Sequence, residues 1–276
     1  IIGAVIAVPL LSLIIWLIIK MGSLWWIWAF AVVFVFQLVM MVLYPLLILP
    51  LFNRLTPLPD SELRERLMNL AQRAGFKART IQIMDGSKRS GHSNAFFTGF
   101  GRFRRIVLFD TLVDQLEPRE LEAVLAHEIG HYKKGHVPRM LALSAVMLLA
   151  GFGLAAWLLE TPVFVEAFGF QAEHAGPAPA LLLFVILAGL VTFWLSPVLS
   201  MLSRKHEYQA DRFAAEHGAG VQPMIKALIR LGTENLANMN PHPLYSGFYY
   251  SHPTITERIH ALEQNAKQKL KSCVSA

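Results

Sequence analysis

Residues 118–132, Pro118-Arg119-Glu120-Leu121-Glu122-Ala123-Val124-Leu125-Ala126-His127-Glu128-Ile129-Gly130-His131-Tyr132, set how the rest of the chain is read. A proline at a first turn, followed by carboxylates, predicts a helix N-terminus: the missing N–H costs nothing there, and negative charge meets the positive end of the helix dipole. At 3.6 residues per turn, His127 and His131 lie on one face about a turn apart. Two imidazoles so placed reach one Zn2+ at ~2.0–2.1 Å. Glu128 stands beside them, able to hold a water without being a ligand. The H-E-x-x-H arrangement therefore predicts metal-assisted hydrolysis with Glu128 as general base.

Outward from this stretch the chain turns apolar. Of 276 residues, 54% are hydrophobic, and the mean hydropathy of +0.45 exceeds that of an ordinary soluble protein. Four stretches, Ile1–Ile19, Leu24–Leu49, Met140–Leu159 and Ala180–Leu202, are each near the ~20 residues that cross a bilayer. The sequence opens at Ile1 inside an apolar run, and a second run follows after the short turn Lys20-Met21-Gly22-Ser23. This predicts a missing N-terminal portion rather than a cleavable signal peptide. The single cysteine, Cys273, excludes an intrachain disulfide framework and a Cys-rich zinc site.

The net charge of +6 invites nucleic acid, but the distribution of charge does not. Of the 25 Lys and Arg, 15 fall in 51–139 and 9 in 203–276, whereas the 160–179 loop has none and carries Glu160, Glu166 and Glu173. That asymmetry predicts both polar segments on the cytoplasmic side. Arg102, Arg104 and Arg105 read as neighbours of lipid headgroups, and no nucleic-acid partner is expected.

The chain thus divides into a transmembrane hairpin (1–51), a polar segment bearing the H-E-x-x-H helix (52–139), a second hairpin (140–202) and a C-terminal helical segment (203–276). Trp25, Trp26 and Trp28 suit an interfacial aromatic belt, and Pro9, Pro45 and Pro50 are expected to kink or end helices. In the first polar segment, Asp60 or Ser61 caps a helix Glu62–Ala74 that stops at Gly75. Strands are expected at Thr80–Met84, Asn94–Thr98 and Arg105–Phe109, the last after the turn Gly99-Phe100-Gly101-Arg102, forming a small antiparallel sheet. After the fourth span, a separate polar helix from His206 stops at Gly218.

A catalytic zinc takes three protein ligands and leaves one position for water. His136 invites the longer H-E-x-x-H-x-x-G-x-x-H motif, but Gly135 and His136 stand at the wrong spacing for it. The better third ligand is Glu207, just beyond the last span. Asp211, one helical turn on, is placed to accept the outer N–H of a ligating His and fix its tautomer. His92, His136, His206, His217, His242 and His260 read as structural or solvated.

His127-Glu128-Ile129-Gly130-His131, with Leu202-Ser203-Arg204-Lys205-His206-Glu207-Tyr208-Gln209-Ala210-Asp211, resembles the type I CAAX prenyl proteases, integral-membrane zinc endopeptidases. The resemblance extends to Gly86-Ser87-Lys88-Arg89-Ser90-Gly91-His92-Ser93-Asn94-Ala95-Phe96, to Arg105-Ile106-Val107-Leu108-Phe109-Asp110-Thr111-Leu112 and to Ser251-His252-Pro253-Thr254-Ile255-Thr256-Glu257-Arg258, and so covers nearly the whole chain. It implies that His252 stabilises the oxyanion, that Arg258 supports the metal-site carboxylates, and that Asn94 and Ala95 present edge-strand groups to an extended peptide. The family is usually a bundle of seven spans around a water-filled chamber; four spans are legible here. The last residues, Cys273-Val274-Ser275-Ala276, only loosely match a C-a-a-X box and read as a helix end.

The expectation is a mainly α, integral-membrane protein with at least four transmembrane helices and a zincin-like metalloprotease domain, helices plus the small sheet, on the cytoplasmic side. One Zn2+ would be held by His127, His131 and Glu207. Glu128 and His252 would be catalytic, and Asp211 and Arg258 would support the ligands. The substrate would be a peptide or protein, prenylated or not, cut near its C-terminus, and the lipid bilayer would be the other partner. The composition is read as prokaryotic, placing the chain in a bacterial inner membrane; a eukaryotic source would place it in the endoplasmic reticulum membrane. The rival readings are a membrane-protein quality-control zinc protease and a non-catalytic scaffold with a structural metal. An intramembrane protease fits poorly, because Lys133, Lys134 and His136 follow Glu128 closely.

Overall fold

The computed structural model describes residues 2–98, 104–171 and 176–274. The expected turn at 99–102, Arg102 of the basic cluster, Glu173 of the acidic loop, and Ser275 and Ala276 lie outside the described residues, as do the side chains of Cys273 and Val274. The chain divides into two compact units, one of Ile1–Met41 and Pro138–Leu195, the other of Val42–Val137 and Ser196–Ala276. Among the described residues, four helices are long and apolar enough to cross a membrane: Gly3–Lys20, Gly22–Phe52, His136–Leu159 and Pro177–His217.

In the first unit, α1 (Ile2–Lys20) runs through Pro9 without ending. It turns at Gly22, whose φ of +56° suits a residue without Cβ, into α2 (Trp25–Leu43). Its internal seam is small. Leu17, Trp25, Ala29, Ala155 and Ala156 are buried, with Trp25 edge-on to Phe152 at 6.4 Å. Trp25 is therefore a packing residue rather than part of an aromatic belt, whereas Trp28 is exposed. Ser144 Oγ donates to Gln37 Oε1 at 3.2 Å, a polar tie between two apolar helices. The outward faces carry exposed Val5, Trp16, Val146 and Ile186, as expected of helices solvated by lipid.

The second unit begins with a π-helical turn, Tyr44–Ile48, and a short α3, Leu49–Phe52: Pro45 lies in a departure from regular α-helix, whereas Pro50 is accommodated in the first turn of α3. Then come β1 (Leu55–Pro57), α4 (Glu62–Arg73), β2 (Thr80–Met84), β3 (Ala95–Thr98), β4 (Arg105–Phe109), α5 (Asp110–Gln115) and α6 (Pro118–Lys133). Ser61 caps α4 by accepting the Arg64 N–H, and Gly75, at φ +64°, ends it.

The sheet corrects the expected antiparallel arrangement. It is mixed and four-stranded in the order β1-β2-β4-β3. β1 and β3 pair antiparallel with β2 and β4, but β2 and β4 are parallel, in register from Thr80 opposite Arg105 to Met84 opposite Phe109. The reason is topological. The connection between β2 and β4 is long enough for a crossover, so the chain lays β3 at the edge and returns β4 between its neighbours. A central strand is covered on both faces, and Ile106, Val107 and Leu108 are all buried. Ile106 and Leu108 join the main core with Leu67, Leu70, Phe76, Leu125 and Ile129. Val107 faces the other way, onto Leu49 and Met84. β1 escaped the sequence reading because it is three residues long and ends in Pro57, which an edge strand tolerates.

Helix α6 stops at Lys134 and Gly135 (φ +67°), and α7 (His136–Leu159) restarts at once, with Pro138 harmless in its first turn. After α8 (Pro162–Glu166), the expected fourth span and the expected polar helix prove to be one 41-residue helix, α9 (Pro177–His217). Between Val198 and His217 there is no Gly or Pro, so polarity changes at Ser203 while backbone hydrogen bonding continues. Helices α10 (Val221–Glu234), α11 (Pro243–Tyr249) and α12 (Ile255–Val274) complete the unit.

Candidate metal centre

Local chemistry holds α6 in place. Glu117 and Glu120 form a capping box, and Pro118 sits at the first helical position. The buried Glu120 also pairs with Arg230 of α10 at 3.0 Å.

The approach of α9 to α6 is set by small residues. A Cβ on Gly130 would lie 3.1 Å from Ala210 Cα and 3.2 Å from Ala210 O. A Cβ added to Gly218 would lie 2.7 Å from Ala126 Cβ. Backbone atoms cannot rotate aside, so any side chain at 130 separates the two helices. Gly130→Val is expected to destabilise the protein by about 1–3 kcal/mol and to remove most bound metal, read by thermal melting and by metal content after dialysis. Full metal content in this variant would show that the close crossing does not set the site.

That crossing brings three donors together. His131 Nε2 is 3.1 Å from His127 Nε2, His127 Nε2 is 3.5 Å from Glu207 Oε2, and His131 Nε2 is 3.4 Å from Glu207 Oε1. A tetrahedral ion ~2.0–2.1 Å from each donor needs donor–donor edges of about 3.3–3.4 Å. The two imidazole nitrogens and the Glu207 carboxylate, which turns Oε2 to His127 and Oε1 to His131, come close to that requirement.

Tautomers give a second test of fit. His127 Nδ1–H donates to Asp211 Oδ1 at 2.9 Å. His131 Nδ1 has its own partner, His136 Nδ1, at 3.0 Å. With both Nδ1 atoms protonated, both Nε2 atoms present lone pairs to each other, an arrangement that repels unless a cation lies between them.

Around the triangle, Arg258 donates through Nε to Asp211 Oδ2 at 2.8 Å and through Nη2 to Asp211 Oδ1 at 2.5 Å, while its Nη1 is 3.5 Å from Glu207 Oε2. Thr254 and Glu257 place Arg258 through a reciprocal cap. Thr254 N–H donates to Glu257 Oε2 at 2.8 Å and Glu257 N–H to Thr254 Oγ1 at 3.2 Å. Arg204 of α9 holds the same Glu257 at 2.9 Å, tying α12 to the helix that carries Glu207. His252, just before this cap, sits with Nδ1 3.1 Å from Glu207 Oε1. That hydrogen bond raises the His252 pKa above its ordinary value. Burial raises the Glu128 carboxyl, partly opposed by His127 and His131.

A cavity of about 440 Å³ opens onto the site and is lined by Ser93, Asn94, Ala95, His127, Glu128, His131, Glu207, His252 and Arg258, with an apolar wall from Leu112, Val124, Met224, Leu228 and Leu231. β3 is an edge strand, so beside the cavity no strand pairs with its outer side among the described residues. Asn94 continues the β3–β4 ladder by accepting the Phe109 N–H at 3.0 Å, and its Oδ1 accepts the Ala95 N–H at 2.8 Å. Every residue singled out in the sequence as catalytic, ligating, supporting or substrate-facing lies on or beside this cavity.

Some site residues were not foreseen. Gly130 shows its role only through the facing Ala210. His136 and His206, read as structural or solvated, are both buried and stacked at 4.1 Å, and His136 touches His131. The other histidines fit the earlier reading: His217 stacks on Phe213, His242 accepts the Leu244 N–H, and His260 is exposed.

Residues 57–266 match the model of peptidase family M48, and residues 1–54 match that described as CAAX prenyl protease N-terminal, five membrane helices. The chain belongs to peptidase family M48, and with its apolar helices it is an integral membrane protein. Membership in a metallopeptidase family implies a metal, and His127, His131 and Glu207 form the described cluster able to hold one. The chain is 42% identical over 260 residues to CAAX prenyl protease 1 of Saccharomyces cerevisiae, covering 89% of this chain and 57% of the relative. With the Arabidopsis thaliana homolog it shares 37% over 274 residues, covering 96% and 62%. The crystal structure of S. mikatae Ste24p superposes with a TM-score of 0.87 at 38% identity, covering 95% of this chain and 64% of that one. The chain therefore spans less than two thirds of the length of these relatives.

Proposed function

We propose that this chain is a membrane zinc metalloendopeptidase that cleaves peptides near their C-termini, in CAAX-type processing. The observation that carries the proposal is the convergence of His127 Nε2 and His131 Nε2, 3.1 Å apart, on the Glu207 carboxylate, whose Oε2 lies 3.5 Å from the first and whose Oε1 lies 3.4 Å from the second. Three ligands with a cavity beside them suit a catalytic ion better than a closed structural site with four. When bound, zinc would acidify water and polarise the scissile carbonyl.

Glu128 takes the proton of the attacking water and returns it to the leaving amine. His252 donates its Nδ1–H to Glu207, which leaves Nε2–H for the oxygen of the developing tetrahedral centre. Such a donor supplies about 3–4 kcal/mol, and with Nδ1–H on Glu207 the role requires a doubly protonated ring. The open edge at Asn94 and Ala95 takes the substrate as an added strand, through main-chain hydrogen bonds. The two polar segments face the cytoplasm, as their excess of Lys and Arg supports, in the endoplasmic reticulum membrane of a eukaryote or the inner membrane of a bacterium. No nucleic acid is needed.

The test is a zinc count on the purified chain, followed by cleavage of a farnesylated peptide and its unlipidated twin. One zinc per chain and a preference for the lipidated peptide are expected. Equal cleavage of both would shift the reading to membrane-protein quality control, and a chain without stoichiometric zinc would remove both readings.

A further inference from the structure

The two ligating imidazoles are held differently. A neutral imidazole has one N–H and one lone pair, and it offers Nε2 to a cation only when its proton sits on Nδ1. For His127 that tautomer is held by a carboxylate, Asp211, at 2.9 Å. For His131 the partner at Nδ1 is another imidazole, His136 Nδ1, at 3.0 Å. His136 can accept at Nδ1 only if its own proton is on Nε2, and His136 Nε2 lies 2.9 Å from Gln209 Oε1. The chain of donors runs one way: His131 Nδ1–H to His136 Nδ1, then His136 Nε2–H to Gln209 Oε1. His136 is 3% exposed and lies flat against His206, with ring planes 13° apart, so its orientation is fixed by packing as well.

We infer that His136 is a positioning residue: it selects the tautomer of His131 that presents Nε2 to the metal, and Gln209 selects the tautomer of His136. Helix α9 then controls the whole donor set. It supplies Glu207 itself, holds His127 through Asp211, and holds His131 through Gln209 and His136. The inference rests on His127, His131 and Glu207 being the metal ligands. It goes beyond that reading by giving a function to a histidine that touches neither metal nor substrate. Groups that orient a ligating His change metal affinity by ~10–100-fold when removed.

Two substitutions separate positioning from packing. His136→Phe keeps a ring against His206 and removes both nitrogens. His136→Asn loses the ring but returns an acceptor near the place of Nδ1. Zinc affinity is measured on the purified full chain in detergent by competition with a chelator, and melting of the metal-free forms is recorded in parallel. The parent binding one zinc is the control for the ligand set, and its failure would strike the proposed function rather than this inference. Given that control, H136F is expected to bind zinc ~10–100-fold more weakly, and H136N to regain most of the affinity although it packs less well. If H136F holds zinc within about twofold of the parent, against the ~10-fold minimum expected, or if H136N is no better than H136F, the positioning role is wrong. Should H136F fail to fold, Gln209→Leu makes the same test, because it withdraws the acceptor from His136 Nε2. Weaker zinc binding is expected there, and unchanged binding would overturn the inference.

Discussion

Glu128→Gln is expected to leave zinc binding unchanged and to slow peptide hydrolysis by ~10²–10⁴-fold, equivalent to about 3–5 kcal/mol of transition-state stabilisation. The reasoning separates holding the metal from using it. The three donors of the triangle belong to His127, His131 and Glu207, so a change at 128 removes none of them. Gln keeps the length and shape of Glu and still hydrogen-bonds a water, but it cannot take the water's proton. Burial already pushes the Glu128 carboxyl upward, which favours proton uptake at the moment of attack. Zinc content and the cleavage rate of one peptide, measured on the same preparation, decide the matter. Loss of zinc together with activity would make Glu128 a ligand and dissolve the three-donor reading. Hydrolysis surviving within a few-fold would leave the reaction without its base.

The parts of this site that could be read in advance are those encoded by local spacing. His127 and His131 share a face because helices repeat every 3.6 residues, whereas His252 and Arg258 were implied by the resemblance alone, and the Thr254–Glu257 cap that sets them shows only in the structure. Glu207 needed more: a helix 76 residues further on had to be matched to the first by topology and by resemblance. The sheet was misread because strand pairing is not local. Nothing within Thr80–Met84 or Arg105–Phe109 states that they lie side by side and parallel, although the unbroken apolar run Ile106-Val107-Leu108 does signal a strand buried on both faces. Gly130 looked like a spacer within a motif until Ala210 was seen against it. His136 looked inert because one of its partners, Gln209, is 73 residues away. What sequence spacing withholds here is which residue faces which across two helices, and that relation turns a pair of histidines into a donor set.

Arg258→Met is expected to lower both the stability of the metal-free protein and its affinity for zinc. Arg258 is the one cation within ion-pair distance of both Asp211 and Glu207 among the described residues, and all three side chains are largely buried. Removing one partner of a buried pair leaves an uncompensated charge and costs about 3–5 kcal/mol, a fall in melting temperature of order 10 °C for a domain of this size. Here two carboxylates are left, not one. A bound divalent cation offsets the negative charge of Glu207 directly, so zinc is expected to restore part of the lost stability, but the gain in melting temperature on adding zinc should be smaller in the variant than in the parent, because stabilisation by a ligand follows its affinity. Zinc affinity itself is expected to fall, because Asp211 loses the fork that aims it at His127 Nδ1. Arg258→Lys separates charge from geometry: an ammonium returns the positive charge but cannot reproduce the paired hydrogen bonds at 2.8 and 2.5 Å. It should therefore recover much of the metal-free stability and little of the zinc affinity. If Lys recovers both in full, the guanidinium acts on the site as a charge alone, and the orientation of Asp211 does not depend on its two-pronged grip.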